Sequence, residues 1–159
     1  MARMRDRLRV LMLSNPACEC ALLLKEAIGR HVDLVTAGSL AECLRMLYRP
    51  HSRASSVVYG SPRFSSGAKP EQAASFDAFL CDWCYMGGTW RTALDLIRRR
   101  APQLPVIVVC RAGGEQEWVE VLQAGAFDMI TAPFSADEVL FALTNAVAAR
   151  SEPELAKSA

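Results

Sequence analysis

The sequence predicts an α/β domain with a doubly wound, five-stranded parallel sheet and helices on both faces, in three layers. Three observations predict it. Short apolar runs of strand length alternate five times with segments of helical spacing. The run Leu104-Pro-Val-Ile-Val-Val-Cys110 is nearly all apolar, as a parallel strand buried on both faces must be. The first run, Arg9-Val-Leu-Met-Leu13, stops at Ser14-Asn15-Pro16, residues of turn and helix-cap type.

Composition supports one globular domain. The chain has 159 residues, 52% hydrophobic and 22% charged, which excludes a mainly disordered protein. A formal net charge of +1 points to neither a nucleic-acid nor a membrane-surface partner. Arg3, Arg5 and Arg7 precede the apolar run Val10–Leu13, but that run is too short for a signal sequence or a bilayer span. A cytoplasmic location is expected. Six cysteines, Cys18, Cys20, Cys43, Cys81, Cys84 and Cys110, then read as reduced thiols.

The elements follow in order. From Cys18 to Gly29, the residues Leu22, Leu23, Ala27 and Ile28 recur at helical spacing, and Gly29 is a stop signal. Val32 to Thr36 reads as a second strand. Ser39 caps a second helix, with Glu42 three residues on and Leu40, Cys43, Leu44 and Leu47 along one face. The stretch 50–75 is rich in Ser, Pro, Gly, Arg and Lys and reads as an exposed insertion, with a short strand at Val57–Tyr59. Phe76 to Cys81 is the third strand, ending at Asp82 and followed by a loop, Trp83 to Gly88. Thr89 or Thr92 opens a helix that ends in Arg98-Arg99-Arg100, cations suited to the negative end of a helix dipole. After the fourth strand, Glu115 to Ala124 is a helix stopped by Gly125. Asp128 to Thr131 is a fifth strand, and Ala136 to Ala149 a last helix with Val139, Leu140, Leu143 and Val147 inward. The domain is expected over 8–150, with 151–159 a flexible tail.

In such a sheet, ligands bind at the carboxyl ends of the strands, where the strand order reverses. The residues there are Ser14, Asn15, Asp82, Cys110 and Ala132.

Two segments carry a family resemblance: Phe76 to Gly88, and Leu122-Gln-Ala-Gly-Ala126 followed by Ile130-Thr-Ala-Pro-Phe134. From about Arg9 to Arg150 the chain resembles the CheY-like receiver domain of response regulators, a flavodoxin-like (βα)5 fold. The resemblance implies a place in two-component phosphorelay signalling. In that family two acidic residues after the first strand bind Mg²⁺ with an acceptor aspartate. A hydroxyl after the fourth strand and a lysine after the fifth hold the phosphoryl group. Asp82 matches the acceptor, and Pro133 the proline after the lysine. Ser14 and Asn15 stand in place of the acidic pair, Cys110 in place of the hydroxyl and Ala132 in place of the lysine. Met86 replaces the usual loop proline.

These departures weaken the chemistry. Mg²⁺ prefers carboxylate and phosphate oxygens, so its binding is doubtful with Asp82 alone. Phosphoryl transfer also lacks the cation that would balance its charge. The expected function is an atypical, stand-alone receiver-like protein, not an enzyme, that acts by protein contact with weak or absent aspartyl phosphorylation. The partner would be a histidine kinase, another signalling protein or a second copy. No P-loop or GxGxxG is present, and His31 and His51 lie far from Asp82 in sequence. One alternative is a conventional phospho-accepting receiver using Asp82. A second is a thiol or metal sensor using Cys84 and Cys110, with Asp82 and Cys18 in the same pocket. Against it stands the tendency of buried cysteines to act as small hydrophobes. Cys81-Asp82-Trp83-Cys84 is a CxxC, yet it lies at a strand end beside a carboxylate rather than at a helix N-terminus. The fourth-to-fifth-helix face commonly binds partners in the family, which makes Trp118 and Phe141 the interface candidates.

Overall fold

The computed structural model describes residues 7–15, 17–47 and 76–151. The expected insertion at 50–75, its strand at Val57–Tyr59 and the tail beyond Ser151 lie outside them. The elements are β1 (Leu8–Leu13), α1 (Cys20–Ile28), β2 (Val32–Ala37), α2 (Leu40–Leu47), β3 (Ala78–Asp82), β4 (Cys84–Tyr85), β5 (Gly88–Thr89), α3 (Trp90–Arg100), β6 (Val106–Cys110), α4 (Glu115–Ala124), β7 (Asp128–Thr131) and α5 (Ala136–Ser151). The main sheet is parallel throughout, in the order β2-β1-β3-β6-β7. The chain leaves β1 toward β2 on one side and returns to β3 on the other, so the order reverses between β1 and β3.

Successive side chains of a strand point to opposite faces, which divides the interior into two cores. Leu11, Phe79, Cys81 and Val108 face α2 and α3, where Cys43 and Ile97 meet them. Met12, Leu80, Ile107 and Val109 face α1 and α5, where Leu24 and Leu143 pack. Every residue of β3 and β6 is buried, as the apolar run from Leu104 to Cys110 requires.

Local signals set the boundaries. Ser39 Oγ accepts the Glu42 N–H at 3.2 Å, while Glu42 Oε2 accepts the Gly38 N–H at 3.1 Å, one residue earlier than a capping box would have it. Gly125 ends α4 at φ +106°, a conformation that favours glycine. A Cβ there would also collide with the Arg98 guanidinium, whose Nη1 donates to Ala124 O at 3.0 Å. Arg98 thus does more than neutralise a helix end: it ties α3 to the end of α4.

Most boundaries agree with the sequence reading to within two residues, and three differences bear on the packing. The third strand begins at Ala78, because Asp77 bends the chain, donating its N–H to Arg9 O and accepting the Arg9 N–H on Oδ2, both at 2.7 Å. The expected loop from Trp83 to Gly88 contains the antiparallel β4–β5 hairpin, turned by Gly87 at φ +96°. It carries Tyr85 into the core, and Thr89 is the N-cap of α3 without a side-chain cap bond. Finally, α5 runs to Ser151, and Ala142 and Ala146 are buried beside Val139 and Leu143, while Leu140 and Val147 are only half-buried. Among the described residues no helix is long and apolar enough to cross a membrane.

Ile107 is fully buried and Leu22 is 59% exposed, so their truncations should differ sharply. Ile107→Ala is expected to cost about 2–5 kcal/mol and Leu22→Ala within about 0.5 kcal/mol, read from urea unfolding midpoints.

Candidate functional site

The site assembles where β1 and β3 end. The Ser14 N–H donates to Ala37 O at 3.0 Å, which extends the sheet by one bond and buries Ser14. Asn15 then closes a tight turn: its Oδ1 accepts the Ala17 N–H at 2.9 Å and its carbonyl accepts the Cys18 N–H at 2.8 Å. This places Cys18 and Cys20, the first residue of α1, beside Asp82 at the end of β3.

Asp82 is only 3% exposed. Its Oδ1 accepts the Trp83 N–H at 2.9 Å, whereas Oδ2 is buried without a hydrogen-bond partner. Burial pushes its pKa up, opposed by the Cys18 thiol, the backbone N–H groups of Trp83 and Asn15, and the charge of Arg111. Neither the thiol nor the Asn15 N–H meets Oδ2 with hydrogen-bond geometry. The two sulfurs of Cys18 and Cys20 and a carboxylate oxygen of Asp82 all lie within 4.8 Å of one another. Cys18 is half-buried and Cys20 fully buried. Burial, then the neighbouring Cys18 thiol and the Asp82 charge, push the Cys20 thiol up to about 12.

The other strand ends contribute less. Cys110 closes β6, and its thiol turns into its own loop, donating to Ala112 O at 3.2 Å. Burial raises its pKa. Ala132 donates its N–H to Cys110 O at 3.0 Å and precedes Pro133 through a cis bond, but its methyl brings no charge. Arg111, one residue beyond β6, is the nearby cation; its guanidinium stands 4.0 Å from Glu19 of the loop before α1. Both side chains are well exposed, so this pair adds little stability; what matters is the positive charge it holds by the two loops.

The CxxC is split between environments. Cys81 lies in the core, its pKa pushed well up by burial and by Cys43 and Asp82, while Cys84 is exposed on the hairpin. A low-pKa redox pair needs the reverse. Among the described residues, the cysteine–carboxylate cluster is Cys18, Cys20 and Asp82; Cys84 and Cys110 belong to no such group. Sequence reasoning placed Cys18 near the pocket but missed Cys20 and Arg111. The Cys-x-Cys spacing was the available signal for Cys20, and adjacency to Cys110 for Arg111.

No protein-family model matches the chain. Over 79 residues, 48% of the chain, it is 38% identical to the phosphate regulon transcriptional regulatory protein PhoB of Klebsiella pneumoniae. That match spans about a third of the relative, 34% of its length. The solved signal receiver domain of a protein described as a Luxo repressor from Vibrio parahaemolyticus superposes with a TM-score of 0.66 at 16% identity, covering 96% of this chain and 99% of that one. The beryllofluoride-activated NtrC4 receiver domain dimer superposes at 0.63 with 18% identity, covering 89% and 98%.

The chain has the receiver fold.

Within that fold, a resident Mg²⁺ does not fit the residues present. It demands near-octahedral oxygen coordination, and thiol sulfur is a poor ligand for so hard a cation. Here a single buried carboxylate faces two thiols, Asn15 Oδ1 is engaged by the Ala17 N–H, and Ser14 is buried. On the α4 and α5 side of the receiver fold, Trp118 is 43% and Phe141 70% exposed. The Trp118 indole is oriented by its Nε1, which donates to Asp128 Oδ1 at 3.0 Å. Met86, at the loop-proline position, is exposed on the hairpin.

A carboxyl whose folded pKa is raised binds its proton more tightly when folded than when unfolded. Its favourable contribution is full below the unfolded pKa, about 3.9, and is lost as pH rises through the raised folded value. Asp82→Asn, which cannot ionise, should therefore raise the unfolding midpoint at pH 7 relative to the native protein. The gain should shrink as pH falls through the raised Asp82 pKa, measured by urea unfolding between pH 7 and 4.

Proposed function

We propose that the chain is an atypical signalling module of two-component transduction. It acts through protein contacts rather than catalysis, with aspartyl phosphorylation weak or absent. The observation that carries this reading is the company Asp82 keeps: Ser14, Asn15, Cys110 and Ala132 at the strand ends, and the thiols of Cys18 and Cys20 against its carboxylate. None of these supplies a second carboxylate for a hard cation or an ammonium for the phosphoryl oxygens. A thiol is also a weak hydrogen-bond donor where a hydroxyl would serve. If each missing electrostatic partner costs about 3–4 kcal/mol, the loss of several slows phosphotransfer by many orders of magnitude. Arg111 supplies one positive charge near the carboxylate, but from an exposed loop and shared with Glu19.

Similarity to PhoB over part of its length supports a regulatory setting, and a cytoplasmic location belongs to the same proposal. The partner is a histidine kinase, another signalling protein or a second copy of the chain. The exposed rings of Trp118 and Phe141 are the anchors we assign to it, since exposed aromatics contribute strongly when an interface buries them. Likeness to a receiver domain dimer supports self-association as one form of that contact.

Incubation with a small phosphodonor and Mg²⁺, followed by intact-mass measurement, should show no phosphoryl increment. An increment abolished by Asp82→Asn would establish a conventional phospho-acceptor instead. Sedimentation equilibrium provides the second check: Phe141→Ala should weaken self-association about tenfold or more while leaving the circular dichroism spectrum unchanged.

A further inference from the structure

We propose that Cys18, Cys20 and Asp82 form a binding site for one borderline-soft divalent cation of the Zn²⁺ type. The site stands apart from the signalling reading and does not depend on it. Its ligand atoms come from three chain positions that the fold brings together: the turn after β1, the start of α1 and the end of β3.

Geometry supports it first. The two sulfurs and a carboxylate oxygen lie within 4.8 Å of one another. Thiolates bound to zinc at about 2.3 Å in a tetrahedron stand about 3.8 Å apart, so rotamer adjustments of about an ångström would close the set. The Asn15 turn and the first residue of α1 already fix the two cysteine backbones, leaving little to organise on binding.

A second, independent observation points to a ligand. Asp82 is 3% exposed, and its Oδ2 is buried with no hydrogen bond, although a buried carboxylate oxygen normally finds a donor. A metal ion would satisfy it. Cys18 is half-buried, which gives the cluster an edge toward solvent and an ion a way in.

The donor set and charge choose the ion. Two sulfurs and one carboxylate suit zinc and exclude a hard cation as the preferred guest. Two thiolates and a carboxylate carry three negative charges, and a divalent ion leaves one. Arg111, whose charge acts on both Asp82 and Cys20, offsets it. Three protein ligands leave the fourth tetrahedral position to water or an outside ligand.

The experiment uses the whole chain, reduced and stripped with a chelator, then titrated with Zn²⁺ against a chromophoric competitor. Co²⁺ serves as a spectroscopic probe of thiolate ligation. One equivalent should bind, with sulfur-to-cobalt charge-transfer bands. Cys18→Ser, at the half-buried position, and Asp82→Asn should each weaken binding about tenfold or more, while Cys84→Ser and Cys110→Ser leave it unchanged. Circular dichroism confirms that each variant is folded. Absence of stoichiometric binding, cobalt spectra without thiolate bands, or binding that survives Cys18→Ser would each overturn the site. So would loss of binding on Cys84→Ser. Because the phosphodonor assay uses Mg²⁺ and reads mass, its outcome and this one fail separately.

Discussion

A parallel sheet covered on both faces leaves its central strands no solvent side, and the rest of this structure follows from that constraint. β3 and β6 are buried at every residue, so neither can present a polar side chain along its length. Polar chemistry is favoured at the carboxyl ends, and the strand order reverses between β1 and β3, where two loops diverge. Asp82 is the residue that meets this constraint most directly. It terminates a strand with no exposed position and inherits that strand's burial.

The consequences for Asp82 are electrostatic. A carboxylate withdrawn from water needs donors or cations, and here Oδ1 accepts the Trp83 N–H while Oδ2 meets no donor with hydrogen-bond geometry. The groups pressed around it, Cys18 and Cys20, are poor donors but good metal ligands. Arg111 brings a compensating charge from a neighbouring loop. The pocket thus sets two thiols and one carboxylate together rather than a group of carboxylates.

Much of the fold was legible because its signals are local. Alternation of apolar runs with helical spacing, Ser39 and Glu42 at the start of α2, and Gly125 at the end of α4 each reflect backbone or patterning demands that act over a few residues. The β4–β5 hairpin was not legible, since two-residue strands carry no periodicity. Nor was the bend at Asp77, which depends on Arg9, distant in sequence. Of the site, Asp82, Ser14, Asn15, Cys110 and Ala132 could be placed by counting to strand ends. Which of them would share a pocket could not.

By itself, then, the sequence determined the alternation of main-sheet strands with helices, the parallel sheet and the identity of the residues at the carboxyl ends of those strands. These depend on periodicity and on turn chemistry, which a linear string records. Tertiary structure decided where each cysteine lies relative to Asp82. Cys84 is exposed and the Cys110 thiol donates to its own loop, while Cys20 joins Cys18 within 4.8 Å of the Asp82 carboxylate. That choice rests on the Asn15 turn and the register between β1 and β3, distances set by packing rather than by spacing along the chain.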